Sequence, residues 1–409
     1  MSLFRKCLCI SIALYVLLAI ALWISVDGEI SSITSDLDFY NHYLVARFPD
    51  LVSDKALLLE ANSTEFIAKL DEWNFTPTPF YSIIFLAPFW WLQSEILLWL
   101  LGTSIGCVSI YCFYRVLKNM FSGSRFLEVG GGVTLLLLPL NFNFIVDSTA
   151  VSTMSVAAAF VLGAFAVPNK YVRSLLLVCA AMVRSNFLVA LMCLFISLLW
   201  IRPGRYISVL IMAVPSMVVG IIFYKYFYST YPGGAANFLF YSAYQGIDYT
   251  LPSFAGISRN QLGYEISILD ERLKPLQLFK LLTHWDSLSF LFNIWVLKIS
   301  IMLGFTHEKL FTSEHQIFIT KIWRTVNFIF VTLPGSYSLP ILTIAKAIPR
   351  HESCVYFWAL AYILSNSLLQ GDPRYLMGTY FIIALALVRL VFLIKDSDVL
   401  ASRAKLSQT

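Results

Sequence analysis

The chain has 409 residues, of which 58% are hydrophobic, 16% are aromatic and only 13% are charged. A soluble globular domain carries about a quarter charged residues, and a mean hydropathy of +0.74 exceeds what a polar surface can cover. The net charge of +5 is too small to indicate a nucleic-acid-binding protein. The composition therefore excludes a soluble enzyme, a nucleic-acid-binding domain and a disordered chain, and it predicts an all-α polytopic membrane protein.

The first predicted element is an uncleaved membrane helix that ends near Val26. Arg5 and Lys6 precede an apolar run of about 20 residues, and we expect no small-residue cleavage site after it. The positive-inside rule then places the N-terminus in the cytoplasm. Segment 27–75 holds ten of the chain's 24 acidic residues, which favours the extracytoplasmic side. Apolar residues at helical spacing inside it predict an amphipathic helix on the membrane surface.

Further apolar runs follow, separated by basic clusters that the positive-inside rule assigns to the cytoplasm. These runs are 80–114, 126–145, 149–167, 174–200, 206–228, 317–345, 352–370 and 376–394. Because both ends of the run 174–200 are then cytoplasmic, the run must enter the membrane and return to the same side as two short helices hinged at Arg184-Ser185-Asn186. The alternative is one long tilted helix. The run 80–114 is predicted to be a half-inserted element followed by one full span.

These constraints predict ten crossings with both chain ends in the cytoplasm. Residues 1–228 form a transmembrane module with its first extracytoplasmic loop at 27–75. Residues 229–316 form a large extracytoplasmic loop with an interfacial or re-entrant segment, and residues 317–409 form the C-terminal helices and a short cytoplasmic tail. The seven cysteines lie in apolar runs or at their edges without zinc-ligand spacing, so neither disulfides nor a metal site is expected.

Polar residues on the predicted outer face are the candidates for chemistry, because ionisable side chains that lipid excludes are functional by default. Asp36 and Asp38 follow the first helix, and two carboxylates one residue apart can act as a base with a supporting acid or metal ligand. The alternative is a solvated acidic loop. Arg184 lies at the proposed hinge, where a guanidinium suits a lipid phosphate, unless it only reaches the headgroups.

Two proline-containing turns complete the set of candidate sites. Segment 73–80 contains Pro77 and Pro79 and predicts a rigid, non-helical return to the membrane. Segment 370–376 is a tight turn with Gly371 and Pro373, and Arg374 follows at the point where a helix enters the outer leaflet. That arginine is either a functional cation or a headgroup anchor.

In this order the candidate sites resemble the GT-C superfamily of integral-membrane glycosyltransferases, above all the bacterial polyprenyl-phosphate-mannose-dependent mannosyltransferases and phage-type O-antigen glucosyltransferases. Asp38-Phe39-Tyr40-Asn41-His42-Tyr43 stands where that family has an Asp-Phe-x-x-Tyr-like motif. Phe75-Thr76-Pro77-Thr78-Pro79 resembles its aromatic and proline motif before the next helix. Arg184 corresponds to a basic residue near the sixth helix, and Arg374-Tyr375-Leu376 to an Arg-Tyr-Leu in the last outer turn.

The resemblance implies a GT-C-like bundle of about ten transmembrane helices with two extracytoplasmic loops that carry interfacial helices. It implies that Asp38 is the general base, that Asp36 assists it, and that the reaction inverts the anomeric centre. No cofactor or metal is implied, since a lipid monophosphate is already a good leaving group. The residues implied to bind the donor phosphate are Arg184, Arg374, Tyr375 and His42.

The implied function is transfer of a hexose from a polyprenyl-phosphate donor, such as an undecaprenyl-phosphate sugar, to a glycan or glycolipid acceptor such as the O-antigen of lipopolysaccharide. The implied location is the bacterial inner membrane, with the active site facing the periplasm. The protein would be functionally coupled to a lipid-phosphate glycosyl synthase and a flippase. Two alternatives remain open. One is an O-antigen polymerase or ligase that uses a diphosphate-linked oligosaccharide, and the other is a transporter of lipid-linked sugars.

Overall fold

A computed structural model describes the parts of the chain that carry most of the predicted apolar helices. The described residues are 2–28, 81, 94–124, 126–183, 195–196, 206–229, 299, 322–369 and 378–406. Within them every regular element is helical and no strand is present. In chain order the helices are α1 (Leu3–Ser25), α2 (Glu95–Met120), α3 (Leu127–Leu140), α4 (Phe142–Thr149), α5 (Thr153–Ala166), α6 (Lys170–Val183), α7 (Tyr206–Ser229), α8 (Ile322–Ile344), α9 (Arg350–Leu369) and α10 (Tyr380–Leu406).

Among the described helices, α1, α2 and α8 are long and apolar enough to cross a membrane. The bent pair of α3 and α4 makes a fourth span if it is counted as one. Helices satisfy their backbone hydrogen bonds internally, which is the condition that lipid imposes on a spanning segment. The prediction of an all-α membrane protein is confirmed at this level, while the ten crossings and the orientation of the chain stay predictions.

Helix α1 runs antiparallel to α2, and aromatic side chains mark both ends of the pair. Phe4 at the start of α1 stacks on Tyr114 near the end of α2, with ring centroids 4.6 Å apart. Trp23 near the end of α1 meets Trp99 at the start of α2 at 5.6 Å. The two helices therefore lie side by side along their whole length.

Helix α3 runs parallel to α1, because its polar groups meet α1 in the same order along the chain. The Phe4 backbone N–H donates to Glu128 Oε2 at 3.1 Å, so a carboxylate caps the positive end of the α1 dipole. Further along, Ser11 Oγ donates to the Leu135 carbonyl at 2.7 Å. Helices α1, α2 and α3 thus form a three-helix core.

The predicted apolar run 126–145 forms two helices, with a break at Asn141. Pro139 cannot donate a backbone hydrogen bond, and the helix ends in a short 3₁₀ turn that contains it. Asn141 Oδ1 then accepts from the Phe144 N–H at 3.1 Å and caps a new helix, α4. The axes of α3 and α4 differ by 63°.

The short helix α4 lies beside the middle of α1 rather than at its end. The ring of Tyr15, about 18 Å along α1 from its first residue at 1.5 Å per residue, is 5.4 Å from the Phe144 ring. Phe144 in turn meets Phe381, the second residue of α10, at 5.4 Å. Both the break before α4 and the start of α10 therefore lie inside the bundle.

The remaining helices pack in chain order around this core. Helix α5 contacts α2 and α6, and α6 contacts α7. Helix α8 packs against α9 and α10. In α6, which is described as far as Val183, Ser174 Oγ donates to the Ile211 carbonyl of α7 at 3.1 Å.

A buried ion pair joins α9 to α10. Arg389 Nε donates to Glu352 Oε2 at 3.0 Å, and the two side chains are only 13% and 4% exposed. The Arg389 guanidinium also lies 5.0 Å from the Phe126 ring centroid, so the pair connects α9, α10 and the start of α3. The sequence signal for it was a single arginine within the apolar run 376–394.

Close helix contacts in this core depend on glycine, because lipid tails are as apolar as leucine and packing alone drives helix association. A Cβ on Gly102 would lie 2.2 Å from the Thr149 carbonyl oxygen, which is backbone and cannot move aside. A Cβ on Gly163 would make only an ordinary contact of 3.5 Å with Leu176.

We expect Gly102→Ala to destabilise the protein by about 1–3 kcal/mol through overpacking. Gly163→Ala is the matched control, and we expect it to be neutral or slightly stabilising, since alanine favours the helix over glycine. The measurement is the thermal unfolding midpoint of each variant in detergent. Equal midpoints for the two variants would contradict the close approach of α2 to the end of α4.

Candidate functional site

A polar cleft opens where α3 ends, α4 begins and α8 passes beside them. It has a volume of about 260 Å³ including its open mouth. The lining residues that the structure describes are Asn141, Phe142, Asn143, Arg324, Asn327, Phe328 and Thr332. We call this region the polar cleft. Leu140, beside the cleft, is exposed, and Asn143, Arg324 and Asn327 are half-buried, so the cleft opens at the side of the bundle. The enclosed space between its side chains has room for about one water molecule.

The break between α3 and α4 supplies two asparagines to the polar cleft. Asn141 caps α4, and Asn143 follows in the first turn. Asn143 Nδ2 donates to the Tyr380 hydroxyl at 2.9 Å, which ties this wall to the start of α10. A helix end inside a membrane protein is tolerated where it lines a polar cavity. The break therefore places two polar side chains in the cleft, which a continuous apolar helix would not do.

A π-helical segment, Phe328–Thr332, shapes the opposite wall of the cleft in α8. Asn327 and Thr332 are five residues apart, which in an α-helix would separate them by about 140° around the axis. Here the Thr332 hydroxyl donates to Asn327 Oδ1 at 3.2 Å, so both side chains face the cleft. Such π-bulges occur frequently at functional sites.

The carbonyl that the break leaves without a helical partner is satisfied by α8. The Leu140 oxygen accepts from Trp323 Nε1 at 2.7 Å and from Asn327 Nδ2 at 3.0 Å. An unpaired carbonyl inside a membrane protein would cost free energy comparable to a lost hydrogen bond. These two bonds therefore hold the two walls of the cleft at a fixed separation.

The polar cleft combines a cation with neutral polar groups. Among the lining residues that the structure describes, Arg324 alone is charged, and the others present amide, hydroxyl and aromatic groups. The Arg324 guanidinium is half-buried and lies 4.8 Å from the Phe142 ring centroid. One guanidinium surrounded by amide N–H donors is suited to a planar or tetrahedral oxyanion.

A small apolar cavity adjoins the polar cleft and shares Asn141 and Thr332 with it, and its enclosed space has room for about one water molecule. Its other walls come from α3, α4, α8 and α10. The remaining lining residues are Leu137, Leu138, Phe144, Val331, Tyr380, Phe381, Ile383 and Ala384. A polar surface with a cation and an apolar surface therefore adjoin here, and a ligand larger than water would enter only if the surrounding helices separated.

The residues predicted from sequence to carry the chemistry lie outside the described part of the chain. They are Asp36, Asp38, His42, Arg184, Arg374 and Tyr375. Helix α6 is described up to Val183, directly before Arg184, and α10 begins at Tyr380, five positions after Tyr375. Across the described ranges, no group of three or more His, Cys, Asp or Glu side chains could hold a metal ion.

Sequence reasoning missed the polar cleft, although signals for it were present. Pro139 and Asn141 interrupt the apolar run 126–145, a pattern that breaks helices and caps new ones. Arg324 lies inside the apolar run 317–345, where a charge is a functional candidate. Nothing in the linear sequence, however, brings Asn143 and Asn327 together.

The chain matches no protein-family model, and comparison with curated proteins and with solved structures gives no significant match. The class that the described residues define is that of an all-helical membrane protein. Its polar cleft, with Arg324 among the described lining residues, lies beside the break between α3 and α4.

Proposed function

We propose that this protein is a membrane glycosyltransferase that moves a sugar from a polyprenyl-phosphate donor to a glycan or glycolipid acceptor at the extracytoplasmic face of the bacterial inner membrane. The observation that carries the proposal is the amphipathic pair of cavities described above. A donor of this class has an anionic phosphate joined to a long apolar chain, and those are the two kinds of surface that adjoin at Asn141 and Thr332.

The polar cleft supports this donor class through the hydrogen-bond donors of its described lining residues. Arg324 offers parallel N–H donors, which a phosphate oxygen pair accepts in a bidentate geometry. Asn141, Asn143 and Asn327 add neutral amides around it. Away from bulk water such preorganised donors stabilise a phosphate that gains charge as the sugar leaves.

The proposed reaction is a single displacement. Asp38 removes the proton from the acceptor hydroxyl, and the resulting oxygen forms a bond to the anomeric carbon of the donor sugar. The bond from that carbon to the phosphate oxygen breaks, and its electron pair leaves with the lipid monophosphate. Arg184 and Arg374 bind the departing phosphate, and attack from the opposite face inverts the anomeric centre.

The proposal is tested with purified protein in liposomes that contain an undecaprenyl-phosphate hexose and, in a parallel sample, a diphosphate-linked oligosaccharide. We expect transfer to a glycolipid acceptor only from the monophosphate donor, detected by mass spectrometry of the product. Transfer from the diphosphate donor alone would instead identify a polymerase or ligase. Movement of lipid-linked sugar across the bilayer without a glycosylated product would identify a transporter.

We expect Arg324→Gln to weaken the binding of sugar-free polyprenyl phosphate about tenfold or more, because a hydrogen bond to a charged group is worth about 1.5–3 kcal/mol. Binding is measured with the protein in nanodiscs, so the result does not depend on catalysis. Lys346→Gln is the matched control, because Lys346 is exposed beyond the end of α8.

Two further observations decide the role of Arg324. Arg324→Lys keeps the charge but loses the planar pair of donors, and we expect it to recover only part of the affinity. If Arg324→Gln binds the lipid phosphate as tightly as the wild type does, the polar cleft is not the phosphate site.

A further inference from the structure

The turn that ends α4 holds a valine in a backbone conformation that valine rarely adopts. Val151 has a φ of +53°, in the left-handed region. In that region the Cβ approaches the following carbonyl oxygen, and a β-branched side chain makes the contact worse. Asp27 has a similar φ of +51°, but aspartate is among the residues that tolerate it.

Two backbone hydrogen bonds explain why this position is left-handed. The Ser152 N–H donates to the Asp147 carbonyl at 2.9 Å, and the Val151 N–H donates to the Ser148 carbonyl at 3.0 Å. This pair of bonds defines a Schellman motif, in which the left-handed residue is usually glycine. Val151 therefore occupies, with strain, a position that glycine would occupy without strain.

The strained turn is held from several directions. The Tyr81 hydroxyl donates to the Val151 carbonyl, and both residues are fully buried, at 1% and 0% exposure. On the α1 side, the Tyr15 hydroxyl lies 2.8 Å from Ser148 Oγ. A conformation of this kind persists only when its surroundings fix it, and it occurs most often at functional sites.

The turn and the polar cleft lie at the two ends of α4, a helix of 8 residues. Asn143, in the first turn of α4, lines the cleft, while Val151 follows its last turn. A rotation at Val151 would therefore move Asn143 relative to Tyr380 and α8. Along the chain, Tyr81 comes six positions after the end of segment 27–75, which carries Asp38.

We propose that Tyr81 is a positioning residue for the polar cleft. Its hydrogen bond holds Val151 in the left-handed conformation and so fixes α4 in the place where Asn141 and Asn143 line the cleft. The claim that Tyr81 holds the turn in place rests only on the geometry of the turn. Its kinetic consequence rests on the proposed function.

The experiment combines Tyr81→Phe with Val151→Gly. Tyr81→Phe removes only the hydroxyl, and we expect the amides of the turn to exchange with deuterium about tenfold faster, because a buried carbonyl loses its partner. Glycine adopts the left-handed conformation without strain, so the double variant Tyr81→Phe/Val151→Gly should return exchange toward the wild-type rate. Exchange is measured by mass spectrometry on peptides that cover 142–152.

Tyr15→Phe is the matched control, because it removes a buried hydroxyl bound to the same turn from α1. We expect Val151→Gly not to reverse its effects, since Ser148 carries no left-handed strain. In the transfer assay we expect Tyr81→Phe to lower kcat about tenfold with little change in KM, and the double variant to recover most of that loss.

Each result decides a separate part of the proposal. Unchanged exchange in Tyr81→Phe, or faster exchange that Val151→Gly does not reverse, overturns the anchoring role. The expected exchange pattern with wild-type kcat overturns the positioning role. The expected exchange pattern in a protein that transfers no sugar from lipid monophosphate supports the anchor and refutes the proposed function instead.

Discussion

Replacing Asp38 with asparagine is expected to lower the rate of sugar transfer about 10²- to 10⁴-fold, the usual contribution of a general base. Asparagine keeps the size and polarity of the side chain but cannot accept the acceptor's proton. Donor binding should be unchanged, because the proposed phosphate ligands are the arginines. The measurement is kcat with an undecaprenyl-phosphate sugar, together with binding of the sugar-free lipid phosphate.

Asp54→Asn is the control for this prediction, because Asp54 belongs to the same acidic segment and has no proposed role. If Asp38 is only a solvated acid, the two variants will behave alike. Asp36→Asn should fall between them, since Asp36 is proposed to assist the base. Wild-type transfer by Asp38→Asn would remove the catalytic assignment.

The second large effect is expected at the ion pair between Glu352 and Arg389. Arg389→Met leaves the Glu352 carboxylate buried without its partner, which costs about 3–5 kcal/mol. We therefore expect a large drop in the thermal unfolding midpoint, or loss of folded protein in the membrane. Glu352→Leu should cause a comparable loss, because the guanidinium is then left unpaired beside the Phe126 ring.

The double variant Glu352→Leu/Arg389→Met tests whether pairing is the cause. An apolar pair of similar volume removes both charges, and such replacements are often neutral or stabilising. We expect its unfolding midpoint to lie close to that of the wild type, with strong non-additivity between the two sites. Additive losses in the double variant would show that each side chain acts through separate packing contacts.

The class of the protein and most helix positions were predictable from the sequence. The predicted run that ends near Val26 is α1 (Leu3–Ser25), and the run 206–228 is α7 (Tyr206–Ser229). These predictions succeed because lipid leaves a chain few options. An apolar segment of about 20 residues satisfies its backbone hydrogen bonds only as a helix.

The candidate site was predictable only in part. The sequence shows which charged residues lie within apolar runs, but it does not show which side chains they contact in the fold. Arg324 and Arg389 are both arginines within apolar runs, and hydropathy treats them alike. In the structure Arg389 pairs with Glu352 between α9 and α10, and Arg324 lies among the residues that line the polar cleft. The roles proposed for Asp38, Arg184 and Arg374 rest on sequence resemblance and stay predictions.

Composition and apolar periodicity by themselves predicted helices that are long and apolar enough to cross a membrane, and the described part of the chain has them, because such helices follow from local hydrogen bonding and solvent. Tertiary structure alone decided where the broken helix meets the π-helical segment and why a valine remains left-handed. Asn143 and Asn327 are 184 positions apart in the sequence. Their shared cleft depends on how three helices pack, and no local pattern encodes that distance.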